Sequence, residues 1–396
     1  KSPTIAPPSF LILIGVFTSP FVGPHDSAEL VLSSATLGIA HAPGYPLFNL
    51  LGFLASKVPI STIPARVNAL SALFVIGASL GLYTFLLRLT KSTVAAIFGA
   101  LFFLGSRGAL RQIAYVDTLS LALLFLSIEF LILLFWQRAG ETGKADWRYP
   151  AALAFVFSLH LGHHQTALFA LPAYIVAAWL LFAKTRIVRS DWQKIGIGFL
   201  LGFLPLLYLP IRAHQDPIYA WGNPDTWAGF WELIKRSDYQ QYSYDKISLG
   251  PLRVGDWIIS LLYKEVFLAG LFGIAGFLSL RGSFWGKVIG TYLASQILFV
   301  FLSNMSTNLV DWGTHSRFYS LSVFVWAIPI ALGIQGLTLR LSQRRIPLLV
   351  GVLLVLFAGE LWYSQFWTDR PTRGLPETAT ADMLQPLPQG AVLFAG

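Results

Sequence analysis

Residues 117–136 read DTLSLALLFLSIEFLILLFW, and this stretch decides the class of the protein. Glu129 is the one charged residue in its interior, with Asp117 at its edge. A helix of about 20 residues rises about 30 Å, the thickness of a bilayer's hydrocarbon core. Working outward, comparable apolar runs lie at roughly 9–23, 67–87, 92–106, 149–160, 165–183, 195–211, 257–280, 285–303, 318–339 and 346–366. The expectation is an all-α polytopic membrane protein with about 11 transmembrane helices. The run 43–58 is apolar but short and opens on Pro and Gly, so it is expected to be re-entrant or half-buried.

Composition agrees. The chain is 55% hydrophobic and only 12% charged, about half the charge of a soluble domain. Its net charge of +9 does not indicate nucleic acid, because the basic residues are scattered through loops flanking the apolar runs and form no stripe. With no cysteine, disulfides and thiolate metal sites are excluded. No phosphate-cradling glycine loop is present. Gly196, Gly198, Gly270, Gly273 and Gly276 lie inside apolar runs, where glycine serves close helix packing.

The loops divide by charge. One set holds Arg88, Lys91, Arg138, Lys144, Arg148, Lys184, Arg186, Arg189, Lys194, Arg281, Lys287, Arg340, Arg344 and Arg345 against only Glu141, Asp146 and Asp191. This set is assigned to the cytoplasm. The opposite face is balanced in charge, carries the long loops 24–66 and 212–256, and holds or adjoins all 7 histidines. A transporter would place its ionisable groups near the midplane, on broken helices in two repeated halves. Glu129 is the one carboxylate deep in a predicted span, and structural and functional roles for it stand equal.

The outer face carries the chemistry. Asp26 and Glu29 sit in His25-Asp26-Ser27-Ala28-Glu29-Leu30, directly after the first apolar run, where ionisable groups are costly unless they face water or do chemistry. Asp-x-x-Glu is also a capping box, starting an amphipathic helix that Gly38 would end. One short helix later comes His41-Ala42-Pro43-Gly44-Tyr45-Pro46, whose two prolines around Gly-Tyr demand a sharp turn. Arg107, Arg111, Tyr115 and Asp117 cluster at an outer helix end, either as an interfacial ion-pair group or as part of the same cavity. His163 and His164 are adjacent, so they cannot share a helical face as zinc ligands at i, i+4 would; a neutral hydrogen-bonding pair or a phosphate contact fits better. Arg212 stands at the mouth of a span. Trp221, Asn223, Trp227, Phe230 and Trp231 follow in an aromatic segment suited to a membrane interface. Arg317 lies at another membrane edge. The planar guanidinium fork makes paired bonds to phosphate, although snorkelling anchors also use Arg.

The run Asp26-Ser27-Ala28-Glu29-Leu30, His41-x-Pro43-Gly44-Tyr45-Pro46-Leu47-Phe48 and Arg66-Val67-Asn68-Ala69-Leu70-Ser71-Ala72 closely resembles the membrane proteins of domain of unknown function 2723, which include the transmembrane protein 260 type of O-mannosyltransferase. Gly162-His163-His164-Gln165-Thr166, Tyr208-Leu209-Pro210-Ile211-Arg212 and Trp221-Gly222-Asn223-Pro224-x-Thr226-Trp227 match as well. The resemblance implies a GT-C-type glycosyltransferase membrane domain. Such enzymes take a sugar from a polyprenyl-phosphate carrier on the extracytoplasmic face, in the bacterial plasma membrane or the endoplasmic reticulum lumen, with the key acidic residue in the first outer loop, here Asp26. Where relatives often read Glu-Val-Tyr, this chain reads Tyr115-Val116-Asp117, so that acidic position has either moved to Asp117 or been lost.

Taken together, the expected reaction moves a sugar, mannose, from a polyprenyl-phosphate donor to a Ser/Thr hydroxyl of a protein acceptor, by inverting single displacement. Asp26 is the expected general base, with Glu29 and His41 orienting it or sharing its proton. Arg212, Arg317, His163 and His164 are expected at the donor phosphate, and Tyr45, Arg111, Asp117, Trp221 and Asn223 along the substrate cavity. No cofactor is expected, a divalent metal included. Residues 1–366 form the expected membrane domain. Residues 367–396 are expected to begin a truncated extracytoplasmic C-terminal region. A GT-C enzyme with a lipid or glycan acceptor, and a non-enzymatic lipid or solute transporter, stand as alternatives.

Overall fold

The computed structural model describes residues 18–239, 249–303 and 315–367. The predicted first span and the C-terminal region after residue 367 lie outside them, wholly or in large part. Among the described residues the chain is helical, with two isolated β-bridges and no strand. Five helices are long and apolar enough to cross a membrane: Ile63–Thr90, Leu119–Glu141, Phe284–Leu302, His315–Arg340 and Gln343–Ser364. Counting three bent pairs as one span each raises the number to 8.

In chain order, α1 is Ser27–Thr36, α2 Pro46–Ser56, α3 Ile63–Thr90, α4 Thr93–Leu104, α5 Arg107–Ala114 and α6 Leu119–Glu141. Then come α7 Arg148–His163, α8 Ala167–Phe182, α9 Asp191–Leu201, α10 Tyr208–Ala213 and α11 Trp227–Lys235. The remainder are α12 Gly250–Ile259, α13 Gly270–Ser279, α14 Phe284–Leu302, α15 Tyr319–Arg340 and α16 Ile346–Trp367. The core lies where α6 and α15 run between their neighbours. Phe130 stacks on Trp285 and meets Phe324 edge-on, and Phe85 meets Trp285 edge-on.

Three predicted spans differ in form. The 92–106 run breaks at Gly105 into α4 and α5, bent by 61°. The 195–211 run bends by 40° between α9 and the segment Leu204–Ala213. The 257–280 run is not one rod, for Gly250–Lys264 and Phe267–Ser279 meet at 107°. The break is where charge interrupts apolarity. The buried Glu265 carboxylate accepts the Gly108 N–H at 2.7 Å and lies 3.4 Å from Arg107. The 43–58 run forms α2, too short at 11 residues to cross. At 16 residues each, α7 and α8 would rise about 24 Å.

Glu129 is completely buried inside α6 and is paired. The His160 Nδ1 lies 3.1 Å from it and the Tyr174 hydroxyl donates to it at 2.5 Å. It ties α6 to α7 and α8, the packed and paired arrangement that burial of such a group requires.

Candidate functional site

The site begins with how the loop leading into α1 is held. Asn68, at the start of α3, donates from Nδ2 to the carbonyls of Ser19 at 2.8 Å and Phe21 at 2.9 Å. Its Oδ1 accepts the Val116 N–H at 2.9 Å. One buried amide thus clamps the segment leading to Asp26 against the segment leading to Asp117. Gly23 is needed in this clamp, because a Cβ there would lie 2.4 Å from the Tyr115 ring. Asn49 does the same for the His41–Pro46 turn: it donates to the carbonyls of Gly38 and Gly44 and accepts from Ser33. Gly44 and Tyr45 both adopt positive φ in that turn. Sequence reasoning missed Asn68 and Asn49. The signal was a single amide in each of two otherwise apolar runs.

The capping box does not form. Asp26 stands at the N-terminus of α1 with no side-chain cap. Its Oδ2 instead receives Nη1 of Arg317 at 3.0 Å, and the same nitrogen lies 3.5 Å from Oδ2 of Asp117. The other Asp117 oxygen accepts the Leu119 N–H at 2.9 Å at the start of α6. One arginine thus joins two carboxylates some 90 residues apart in sequence. The Asp26 side chain keeps 35% of its exposure and Asp117 only 9%, so Asp26 is the carboxylate an incoming group can reach. Burial pushes the Asp26 carboxyl upward, but Arg317, His41 and His25 outweigh it and hold it below the usual carboxylate range. Desolvation, with Arg111 and Arg317 nearby, pulls His25 down to about 4 against the opposing effect of Asp26 and Asp117. Arg111 therefore borders the same cluster.

One turn beyond Asp26, Glu29 faces His41. Its carboxylate accepts the His41 backbone N–H and lies 2.8 Å from Nδ1. With Nδ1 donating to Glu29, Nε2 is left to accept from the Tyr45 hydroxyl, 3.2 Å away. Tyr45 in turn packs its ring against His163 at 5.7 Å and stacks on His164 at 5.8 Å. His163 donates from Nε2 to the Thr118 carbonyl at 2.8 Å, beside Asp117. His164 accepts on Nδ1 from the Thr166 N–H and hydroxyl, and its ring lies 6.0 Å from Phe318. The Trp221 ring meets His41 edge-on at 6.4 Å, and its N–H donates to Asp238 at 2.9 Å.

Of the sequence-predicted residues, Asp26, Glu29, His41, Tyr45, Arg111, Asp117, His163, His164, Trp221 and Arg317 therefore form one contiguous group. Arg212 binds elsewhere: it donates from Nε to the Leu37 carbonyl at 2.8 Å and from Nη1 to Gln215, at the far end of α1. Asn223 is exposed in the loop before α11. That loop is anchored by the Ile39 N–H to Tyr219 and the Trp221 N–H to Ile39, both at 2.9 Å. Beside the imidazoles opens an apolar cavity of about 480 Å³ between Pro43, Gly162, Gln165, Phe203, Phe230 and Trp231. Among the described residues no three His, Asp or Glu side chains converge as metal ligands would.

The family described as Protein O-mannosyl-transferase TMEM260 N-terminal domain matches residues 26–189, beginning at Asp26 itself. A mouse protein named Protein O-mannosyl-transferase TMEM260 is 31% identical over 231 residues, covering 57% of this chain and 32% of the relative. A Dictyostelium discoideum protein named Protein O-mannosyl-transferase tmem260 is 24% identical over 363 residues, covering 83% of this chain and 44% of the relative. The chain thus spans less than half the length of these curated relatives. No solved structure matches it. Asp26, Glu29, His41, Tyr45, Asp117, His163 and His164 all lie inside the region that matches this family's N-terminal domain.

Proposed function

We propose that this chain is the membrane catalytic part of a GT-C-type protein O-mannosyltransferase, working on the extracytoplasmic face. On this reading the three bent pairs, the five long helices, α7 and α8 supply ten of the eleven expected spans, and the remaining expected span, 9–23, falls largely outside the described residues. The observation that carries the reading is the convergence of Asp26, Asp117 and Arg317 with the Glu29–His41–Tyr45 chain, beside an apolar cavity. The names of the family and of its relatives support the sugar and the acceptor class.

In this mechanism the acceptor Ser or Thr hydroxyl attacks the anomeric carbon of a polyprenyl-phosphate mannose. Asp26 takes the hydroxyl proton, the new C–O bond forms with inversion, and the bond from the anomeric carbon to the phosphate oxygen breaks. The leaving polyprenyl phosphate gains negative charge, which cations at the site stabilise. Arg317 suits this role because its Nε–H is buried with no acceptor among the described residues, a donor beyond the Nη1 that holds Asp26 and Asp117. A phosphate engaging Arg317 weakens its hold on Asp26, so donor binding restores basicity to the carboxylate when it is needed. His164, with its proton on Nε2, is a further donor, and His163 steadies Tyr45. Arg212 holds the end of α1 through the Leu37 carbonyl. The apolar cavity receives the first isoprene units.

The test is transfer from polyprenyl-phosphate mannose to a Ser/Thr peptide by purified protein, with and without a chelator. Full turnover by Asp26→Asn would sink the assignment of the base. Loss of turnover on chelation would show a metal requirement.

A further inference from the structure

A second cavity lies at the opposite end of α3 and α6. It encloses about 490 Å³ and is walled by Arg88, Lys91, Gln137, Arg138, Glu141 and Trp285. Asp117 precedes the first turn of α6, whereas Arg138 and Glu141 belong to its last. The helix has 23 residues, so its ends are about 35 Å apart. This cavity therefore shares nothing with the cluster around Asp26.

Its charge is unbalanced. Three cations face one carboxylate, and Glu141 is engaged by the neutral Gln137 amide at 3.1 Å. None of Arg88, Lys91 and Arg138 is paired with a carboxylate among the described residues. Arg88 is held with its guanidinium 5.1 Å from the Phe135 ring centroid, and Arg138 donates to the Arg88 carbonyl. A cation at each helix C-terminus complements the backbone dipole, which accounts for one arginine per helix. Lys91, the C-cap residue of α3, adds a third cation at the same place, and the dipole does not account for the hollow between them. The wall also contains the buried Trp285 indole, whose N–H has no acceptor among the described residues. Three cations and a spare neutral donor around a concave space are the complement of an anion rich in oxygen acceptors. Basic pockets between membrane helices on the cytoplasmic side suit anionic lipid headgroups.

We propose that this cavity binds the phosphate-bearing headgroup of an anionic phospholipid, with Arg88, Lys91 and Arg138 on the phosphate and Trp285 on a headgroup oxygen. Such a ligand ties the ends of α3 and α6 together with the start of α14.

The test uses the full chain in neutral detergent. Thermal unfolding is followed with added phosphatidylglycerol, with phosphatidylcholine, and with inorganic phosphate at matched ionic strength. Phosphatidylglycerol is expected to raise the midpoint saturably and phosphatidylcholine is not. Replacing two arginines, in Arg88→Gln with Arg138→Gln, is expected to weaken the apparent affinity by roughly 10- to 30-fold, at about 1 kcal/mol per cation. The pair Arg88→Lys with Arg138→Lys keeps charge and stem, and retains the effect if the folded protein is intact. Equal affinity in the Gln pair and the unaltered chain would overturn the proposal. An equal shift by inorganic phosphate alone would assign the cavity to a soluble phosphate and overturn the lipid source.

Discussion

Two carboxylates separated by three positions look alike in sequence, yet the fold gives them different partners. Asp26 goes to Arg317 and Glu29 to His41. Asp26→Asn is expected to lower sugar transfer by about two to four orders of magnitude while leaving the unfolding midpoint nearly unchanged. Glu29→Gln is expected to act indirectly. It releases His41 from its fixed tautomer, so the loss should be smaller and accompanied by a changed pH profile. The held-down Asp26 carboxyl carries its own prediction. With Asp26 as the proposed base, a carboxyl held below the usual carboxylate range makes kcat/KM flat through the neutral range as far as Asp26 is concerned. For stability the sign is the same at His25. Its folded value of about 4 lies below the unfolded one, so between the two the unfolded chain binds more protons and stability rises with pH. His25→Gln should flatten that slope in a pH series of thermal unfolding.

Among the elements, the site depends on amides that touch no reacting atom. Asn68 joins two loops through three hydrogen bonds, two of them fully buried, and Asn68→Ala strands those backbone groups. Each stranded partner costs about 1–3 kcal/mol, so a lower unfolding midpoint is expected along with lost activity. Gly38 tests the other wall. A Cβ there would lie 2.5 Å from the Tyr219 carbonyl, which accepts the Ile39 N–H. Gly38→Ala should pry the 219–221 segment from the end of α1, and altered fluorescence of Trp221 would report it. Apolar periodicity located α3, α6, α14, α15 and α16 in the sequence, because a long apolar run has few other ways to fold in a bilayer. The bends were not legible. The 107° turn depends on Glu265 meeting the Gly108 N–H, a partner 157 residues away.

For the whole molecule, the charge pattern predicts which loops share a face, and the absence of cysteine makes this directly measurable. A single Thr142→Cys should react with a membrane-impermeant thiol reagent only from the cytoplasmic side, and Asp225→Cys only from the outer side. Labelling of both from one side would overturn the assigned topology and the outer location of the site with it. The helix ends near Asp117 and near Glu141 lie on opposite sides of the bundle in either case.

The all-helical, membrane-type character of this protein was legible in the linear chain. Long apolar runs force membrane helices, and charge is too costly in a bilayer to be placed at random. Only the tertiary structure decided who partners whom. A capping box and an ion pair to Arg317 are both open to Asp26 in the linear chain. The choice between them depends on an arginine 291 positions away, brought near by the packing of α3, α6 and α15. That distance also explains why Arg317 read from sequence as a phosphate ligand or a snorkelling anchor, when in the fold it is first the bridge between two carboxylates.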